Sequence, residues 1–106
     1  MVDAFTVLAE PSRRRILDRL RTTECSVGAL VEALALSQPA VSKHLRVLRE
    51  AGFVSSRVQA QQRIYRLEPR PLAEVDQWLA PYRLLWTHHL DALERHLDSL
   101  ERGSDE

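Results

Sequence analysis

The sequence predicts a mainly α-helical domain carrying one small β-hairpin. Three observations lead there. Apolar residues recur at helical spacing in four successive stretches before Gly52. Two short runs rich in valine, isoleucine and tyrosine then face each other across Gln59-Ala60-Gln61-Gln62. Behind them Trp86, Leu90, Leu93, Leu97 and Leu100 repeat at 4-3-4-3 spacing, the seam of a helix made to pair.

The first helix is expected over Val2–Ala9, with Phe5, Leu8 and Ala9 at helical spacing. Pro11 suits the first turn of a second helix, where its missing N–H costs nothing, and Ile16, Leu17 and Leu20 form that helix's inward stripe. Ser26 can cap a third helix bearing Val27, Leu30, Val31 and Leu34. The pattern breaks at Leu36-Ser37, and Ser37 can cap a fourth helix that tolerates Pro39 in its first turn. There Val41, Leu45 and Leu48 face inward, and Gly52 supplies the left-handed stop. Strands follow over Val54–Val58 and Arg63–Leu67, ended by Pro69 and Pro71. Pro81 is expected to end or kink a helix begun near Leu72, and Gly103–Glu106 to fray.

Helices, a fourth with a polar outer face, then a two-stranded ribbon: that order is a winged helix-turn-helix. A single domain over 1–102 is expected, with the recognition helix about 37–51, the wing about 53–67 and C-terminal dimerisation helices about 71–101. The fourth helix turns Gln38, Ser42, Lys43 and Arg46 outward. Gln38 can read a base edge in a major groove, and Lys43 or Arg46 can reach guanine or phosphate.

Net charge is zero over 106 residues, but its distribution is uneven. Residues 1–36 balance five basic against five acidic side chains; residues 37–70 carry seven against two, and residues 71–106 three against eight. The middle third is therefore a localised cationic face in a neutral chain. No apolar run approaches the ~20 residues of a membrane span, Met1 opens no signal peptide, and one cysteine cannot form an internal disulfide. The expectation is a cytoplasmic protein with no membrane partner. No nucleophile–base pair stands at a strand–helix turn and no glycine loop cradles phosphate, so an enzyme is not expected.

The stretches LAEPSRRRILDRL, SVGALVEALALSQPAVSKHLRVLREAGFV and RIYRL resemble the ArsR/SmtB family of bacterial transcriptional repressors. The likeness runs from about Phe5 to Leu100, and the tail PLAEVDQWLAPYRLLWTHHLDALERHL is similar to the SdpR-like autorepressor branch. The resemblance implies a homodimer on double-stranded operator DNA with an imperfect palindrome, and repression relieved by a signal. It places nucleoid-associated DNA contacts on Ser37, Gln38, Pro39, Ser42 and Lys43, with wing arginines Arg57 and Arg63 on backbone or minor groove. Phe5 of the first helix and Trp86, Leu90, Leu93, Leu97 and Leu100 of the tail then form the dimer interface. The family's wing-tip glycine is replaced here by Gln59-Ala60-Gln61-Gln62.

Several residues admit two readings. His44 sits beside the outward arc and either touches DNA or packs locally. Arg13 lies nearest the Ile16–Leu17 stripe and suits a structural salt bridge, which leaves Arg14 and Arg15 as solvated cations. At the family's thiolate metal positions stand Ser26 and Gly28, and Cys25 has no second cysteine, so it is expected to be free and partly buried. Eleven residues beyond His88 and His89 come Ser99 and Leu100, where the family's tail zinc site needs a second histidine. No metal or other cofactor is expected. His89 and His96 share a helix face and leave a nonstandard intersubunit site as the alternative. Trp78, Tyr82 and Trp86 suggest a small apolar cavity for a small-molecule inducer. Two further readings stay open: a metal- or thiol-responsive sensor, and a winged helix that binds a protein instead of DNA.

Overall fold

The computed structural model describes residues 3–104. In chain order the elements are α1 (Ala4–Leu8), α2 (Pro11–Thr22), β1 (Cys25–Ser26), α3 (Val27–Leu34), α4 (Gln38–Glu50), β2 (Val54–Gln59), β3 (Gln62–Leu67) and α5 (Leu72–Ser104). They form two compact units, Met1–Val75 and Asp76–Glu106.

The helices α1 to α4 each begin where a side chain takes up an orphan amide. The Asp3 carboxylate accepts from Thr6 N at 2.8 Å, which starts α1 at Ala4, and the Thr6 amide and hydroxyl hold that carboxyl below its ordinary value. On this helix Ala4 and Val7 are buried, Leu8 is half-buried and Phe5 is 40% exposed. Val2, where the helix was expected to begin, lies outside the described residues. Glu10 caps α2 through Ser12 N, and Pro11 occupies the first turn. Ser26 and Ser37 cap α3 and α4 through Ala29 N and Ala40 N, at 3.1 and 3.2 Å.

Two helix ends need a left-handed residue. α3 stops at Leu34 because Ala35 adopts φ 55° and ψ 38°. This is one residue earlier than the break expected at Leu36-Ser37. α4 stops at Gly52 (φ 82°), where Gly52 N donates to Arg49 O at 3.0 Å and Phe53 N to Leu48 O at 2.9 Å. That paired closure satisfies two terminal carbonyls and carries Phe53 into the core beside Leu48, both fully buried. The core joins Val7, Ile16, Leu17, Leu20, Leu30, Val41, Leu45, Leu48, Phe53 and Val54.

The sheet has order β1-β3-β2, all antiparallel. β1 was not foreseen: at two residues it is too short to show an alternation. It pairs Cys25 with Tyr65 and Ser26 with Ile64, and it leaves Cys25 buried, where partial burial was expected. The hairpin runs from Val54↔Leu67 to Gln59↔Gln62, so both strands reach one residue nearer the tip than expected. Only Ala60 and Gln61 remain in the loop, and Ala60 takes the positive φ (57°) that a glycine would favour. Alternation sorts the wing into two faces. Val54, Ser56, Val58, Arg63, Tyr65 and Leu67 share the face that meets the core at its root, while Ser55, Arg57, Ile64 and Arg66 share the other. On the latter, Ser55 Oγ donates to Glu68 Oε1 at 2.7 Å and accepts from Arg66 Nε at 2.9 Å, while Arg66 Nε also reaches Glu68 at 3.0 Å. The Ser55 hydroxyl and then the Arg66 guanidinium hold the Glu68 carboxyl below its ordinary value of 4.5.

α5 is one continuous helix of 33 residues with Pro81 inside it. Of the two outcomes expected at Pro81, an end or a kink, the helix does not end there. Proline removes the bond to the Gln77 carbonyl, but Gln77 is exposed, so water can serve that oxygen. Side-chain pairs also span the gap: Arg83 Nη1 meets Asp76 Oδ1 at 2.5 Å, and the Trp78 and Tyr82 rings lie 4.8 Å apart. The helix runs through Gly103 to Ser104, where fraying was expected; Asp105 and Glu106 lie outside the described residues.

Two left-handed positions give predictions of opposite sign. Ala35→Gly should raise the unfolding free energy by about 0.5–1 kcal/mol, since the native strain it removes exceeds the freedom it adds to the unfolded chain. Gly52→Ala should lower it by about 1 kcal/mol, from the backbone alone, because an added Cβ meets Pro71 Cγ at an ordinary 3.7 Å. Urea midpoints at unchanged slope measure both. Glu68 gives a third. Its lowered folded pKa contributes stability that is present above the ordinary 4.5 and is lost as pH falls through the folded value. Urea unfolding between about pH 6 and pH 3 should therefore show a shallower acid loss for Glu68→Gln than for the parent.

Candidate nucleic-acid interface

α4 is strongly two-sided. Val41, Leu45 and Leu48 are 0–1% exposed, whereas Ser37, Gln38, Pro39, Ser42, Lys43 and Arg46 are all exposed. The cause is spacing: at 100° per residue, steps of three and four residues keep positions 41, 45 and 48 on one side and 38, 42 and 46 on another. Ser37 is committed to its cap. Among the described residues, the side chains of Gln38, Ser42, Lys43 and Arg46 have no hydrogen bond or ion pair within the chain. His44 is half-buried at the edge of the arc.

The turn Ala35-Leu36-Ser37 joins α3 to α4 and is held from behind. Arg15 Nη2 donates to Leu34 O at 2.8 Å, at the last residue of α3, and Arg14 Nη1 donates to Leu8 O at 2.5 Å, at the last residue of α1. Both guanidiniums thus satisfy helix C-terminal carbonyls and complement the negative dipole end. This corrects their reading as merely solvated cations. Arg13, expected to form a salt bridge, has no ion pair among the described residues, and its buried Nε has no hydrogen-bond partner.

The wing places its two candidate cations apart. Arg57 and Arg63 are both exposed but belong to opposite faces of the hairpin. Arg63 Nη1 donates to Ser56 Oγ at 3.1 Å. Arg57 Nη1 is ion-paired with Glu24 Oε2 at 2.6 Å, and its Nη2 donates to Gln59 Oε1 at 3.1 Å. The Glu24 contact links residues 33 apart in sequence, and no local pattern announces it.

In the second unit, Trp86, Leu90, Leu93, Leu97 and Leu100 are each 53–64% exposed. Helical spacing adds Trp78, Tyr82 and Leu85 to the same side, a face broader than a two-residue seam. The sequence suggests Trp78 and Tyr82, with Trp86, as the lining of a small apolar cavity, and Leu85 falls outside the 4-3-4-3 seam. The two rings lie tilted at 36° to each other along the helix surface, with Trp78 54% and Tyr82 45% exposed. Among the described residues no three histidine, cysteine, aspartate or glutamate side chains gather as metal ligands, and no helix is long and apolar enough to cross a membrane.

Residues 10–56 match the family described as bacterial regulatory protein, arsR family. Over 96 residues the chain is 38% identical to the HTH-type transcriptional regulator Rv2034 of Mycobacterium tuberculosis, which covers 91% of this chain and 87% of that protein. It is 30% identical over 79 residues to the transcriptional repressor SdpR of Bacillus subtilis, covering 74% of this chain and 88% of the other. Among solved structures, an ArsR-like transcriptional regulator from Rhodococcus is similar with a TM-score of 0.65 at 27% identity, covering 86% of each chain. With an exposed polar helix on a helix-turn-helix, a hairpin wing and relatives that are regulators and not enzymes, this chain belongs to the arsR family of bacterial transcriptional regulators.

Proposed function

We propose that the protein is a homodimeric repressor that binds an imperfectly palindromic operator, controls its own gene, and does not respond to metal ions in the family's usual way. The observation that carries this reading is the outer face of α4, where polar and cationic side chains stand exposed with no partner within the described residues. The Gln38 amide is a fork suited to an adenine edge, and Lys43 and Arg46 suit guanine or phosphate. Ser37, Pro39 and Ser42 complete the contact surface at the front of the helix, and Arg57 and Arg63 reach the backbone or minor groove from opposite faces of the wing.

The dimer surface is Phe5 with Trp86, Leu90, Leu93, Leu97 and Leu100, whose exposure in a single chain supports burial against a second copy. Each such side chain contributes roughly 1.5–3 kcal/mol when removed from water. A twofold axis would present two copies of α4 about one DNA turn, or a multiple, apart. The metal reading rests on donors: serine and glycine at positions 26 and 28, and serine and leucine at 99 and 100, offer zinc nothing at neutral pH. The signal is then a small apolar ligand, a partner protein, or abundance of the repressor itself in the cytoplasm.

Fluorescence anisotropy on operator and scrambled duplexes tests the DNA surface. Gln38→Ala should lose ~1–3 kcal/mol of discrimination at one base pair per half-site. Lys43→Ala should weaken binding to every duplex and flatten its salt dependence by about one phosphate. Parental behaviour in both variants would move the recognition surface elsewhere. Zinc, nickel, cadmium, copper(I) and arsenite should leave operator binding unchanged. A tenfold loss abolished by Cys25→Ser, or by His89→Ala with His96→Ala, would instead assign a metal sensor. Leu93→Glu should turn the dimer to monomer in sedimentation at micromolar concentration, and a dimer that persists would exclude the seam.

A further inference from the structure

We propose that Glu24 is a positioning residue that acts through Arg57: its carboxylate competes with DNA phosphate for the guanidinium and thereby weakens DNA binding. The inference rests on the DNA-binding reading above. Its basis is the geometry of the sheet. β1 and β2 flank β3 on opposite sides, and Ser26, Ile64 and Arg57 lie in one row across it. Glu24 immediately precedes β1, so Arg57 must extend across the face of the central strand to reach it, over about two strand spacings of ~4.8 Å. The contact at 2.6 Å and the second one to Gln59 at 3.1 Å engage both terminal nitrogens of the guanidinium.

Three other exposed cations on the recognition helix and wing, Lys43, Arg46 and Arg63, are differently placed. Lys43 and Arg46 have no such partner among the described residues, and Arg63 meets only a neutral hydroxyl. The competing carboxylate also comes from outside the cationic middle third, whose own Glu68 is committed to Ser55 and Arg66. An exposed pair of this kind is weak and can exchange for phosphate (Arg57 is 50% and Glu24 43% exposed). When Arg57 transfers to DNA, Glu24 is left uncompensated beside a polyanion and takes up a cation. That uptake cancels the counterion release from the phosphate that Arg57 neutralises.

Anisotropy titrations of the full-length protein on operator and random duplexes, from about 50 to 200 mM salt, test this. Glu24→Gln and Glu24→Ala should each bind both duplexes about two- to fivefold more tightly. They should also steepen the slope of log K against log salt by up to ~0.9. Arg57→Gln should bind more weakly than the parent, and adding Glu24→Gln to it should change neither affinity nor slope. Thermal unfolding of all variants within a few degrees of the parent shows that the readout is not a loss of fold. Unchanged affinity and slope in both Glu24 variants overturn the proposal. So does an equal gain in the Arg57→Gln background, which would be a general charge effect. Lys43→Ala separates this from the larger reading: if it loses affinity while the Glu24 variants do not gain, only the competition is wrong, and if it binds like the parent, the recognition surface itself is misplaced.

Discussion

Burial of Val41, Leu45 and Leu48 is the constraint on which the rest depends. A helix with one apolar stripe has a single orientation that buries it, so fixing those three side chains fixes what α4 shows to solvent. The termini sharpen that placement. Ser37 sets where the helix begins, and the Gly52 closure sets where it ends and directs Phe53, one of the largest fully buried side chains, back under Leu48. The chain then has no slack before Val54 starts the wing. Position of the wing therefore follows from the same burial that orients α4.

Arginine serves three purposes in this chain, and charge counting cannot separate them. Arg14 and Arg15 act on backbone carbonyls at helix ends, Arg66 on a carboxylate two residues along and Arg57 on one across the sheet, and Arg46 on nothing within the described chain. The cationic middle third is accordingly less free than its sequence charge suggests. Two of its seven basic side chains are neutralised by neighbouring carboxylates, one of them from the preceding third. The same folding that orients α4 thus also sets how much positive charge the wing is left with.

What was legible in the sequence was local. Serine caps at 26 and 37, the stop at Gly52 and the exposure of Gln38, Ser42, Lys43 and Arg46 all follow from chemistry within one or two turns. What was not legible needed a second segment. β1 exists because β3 lies beside it, and the Arg15–Leu34 and Arg57–Glu24 contacts join residues 19 and 33 apart. At Pro81 the sequence leaves an end and a kink both open, because a proline rule weighs one lost bond, whereas the Asp76–Arg83 and Trp78–Tyr82 pairs bridge it.

The uncommitted outer arc of α4 has an evolutionary consequence. Positions 38, 42, 43 and 46 contribute no buried side chain and no internal hydrogen bond among the described residues. Substitutions there are close to neutral for folding, while each changes the chemistry offered to the outside. Duplicated copies of such a gene can therefore drift apart in what they recognise without passing through an unstable intermediate. Change at Arg15, Ser37 or Gly52 would be filtered by stability first, so divergence within this architecture should concentrate on four or five solvent-facing side chains of one helix.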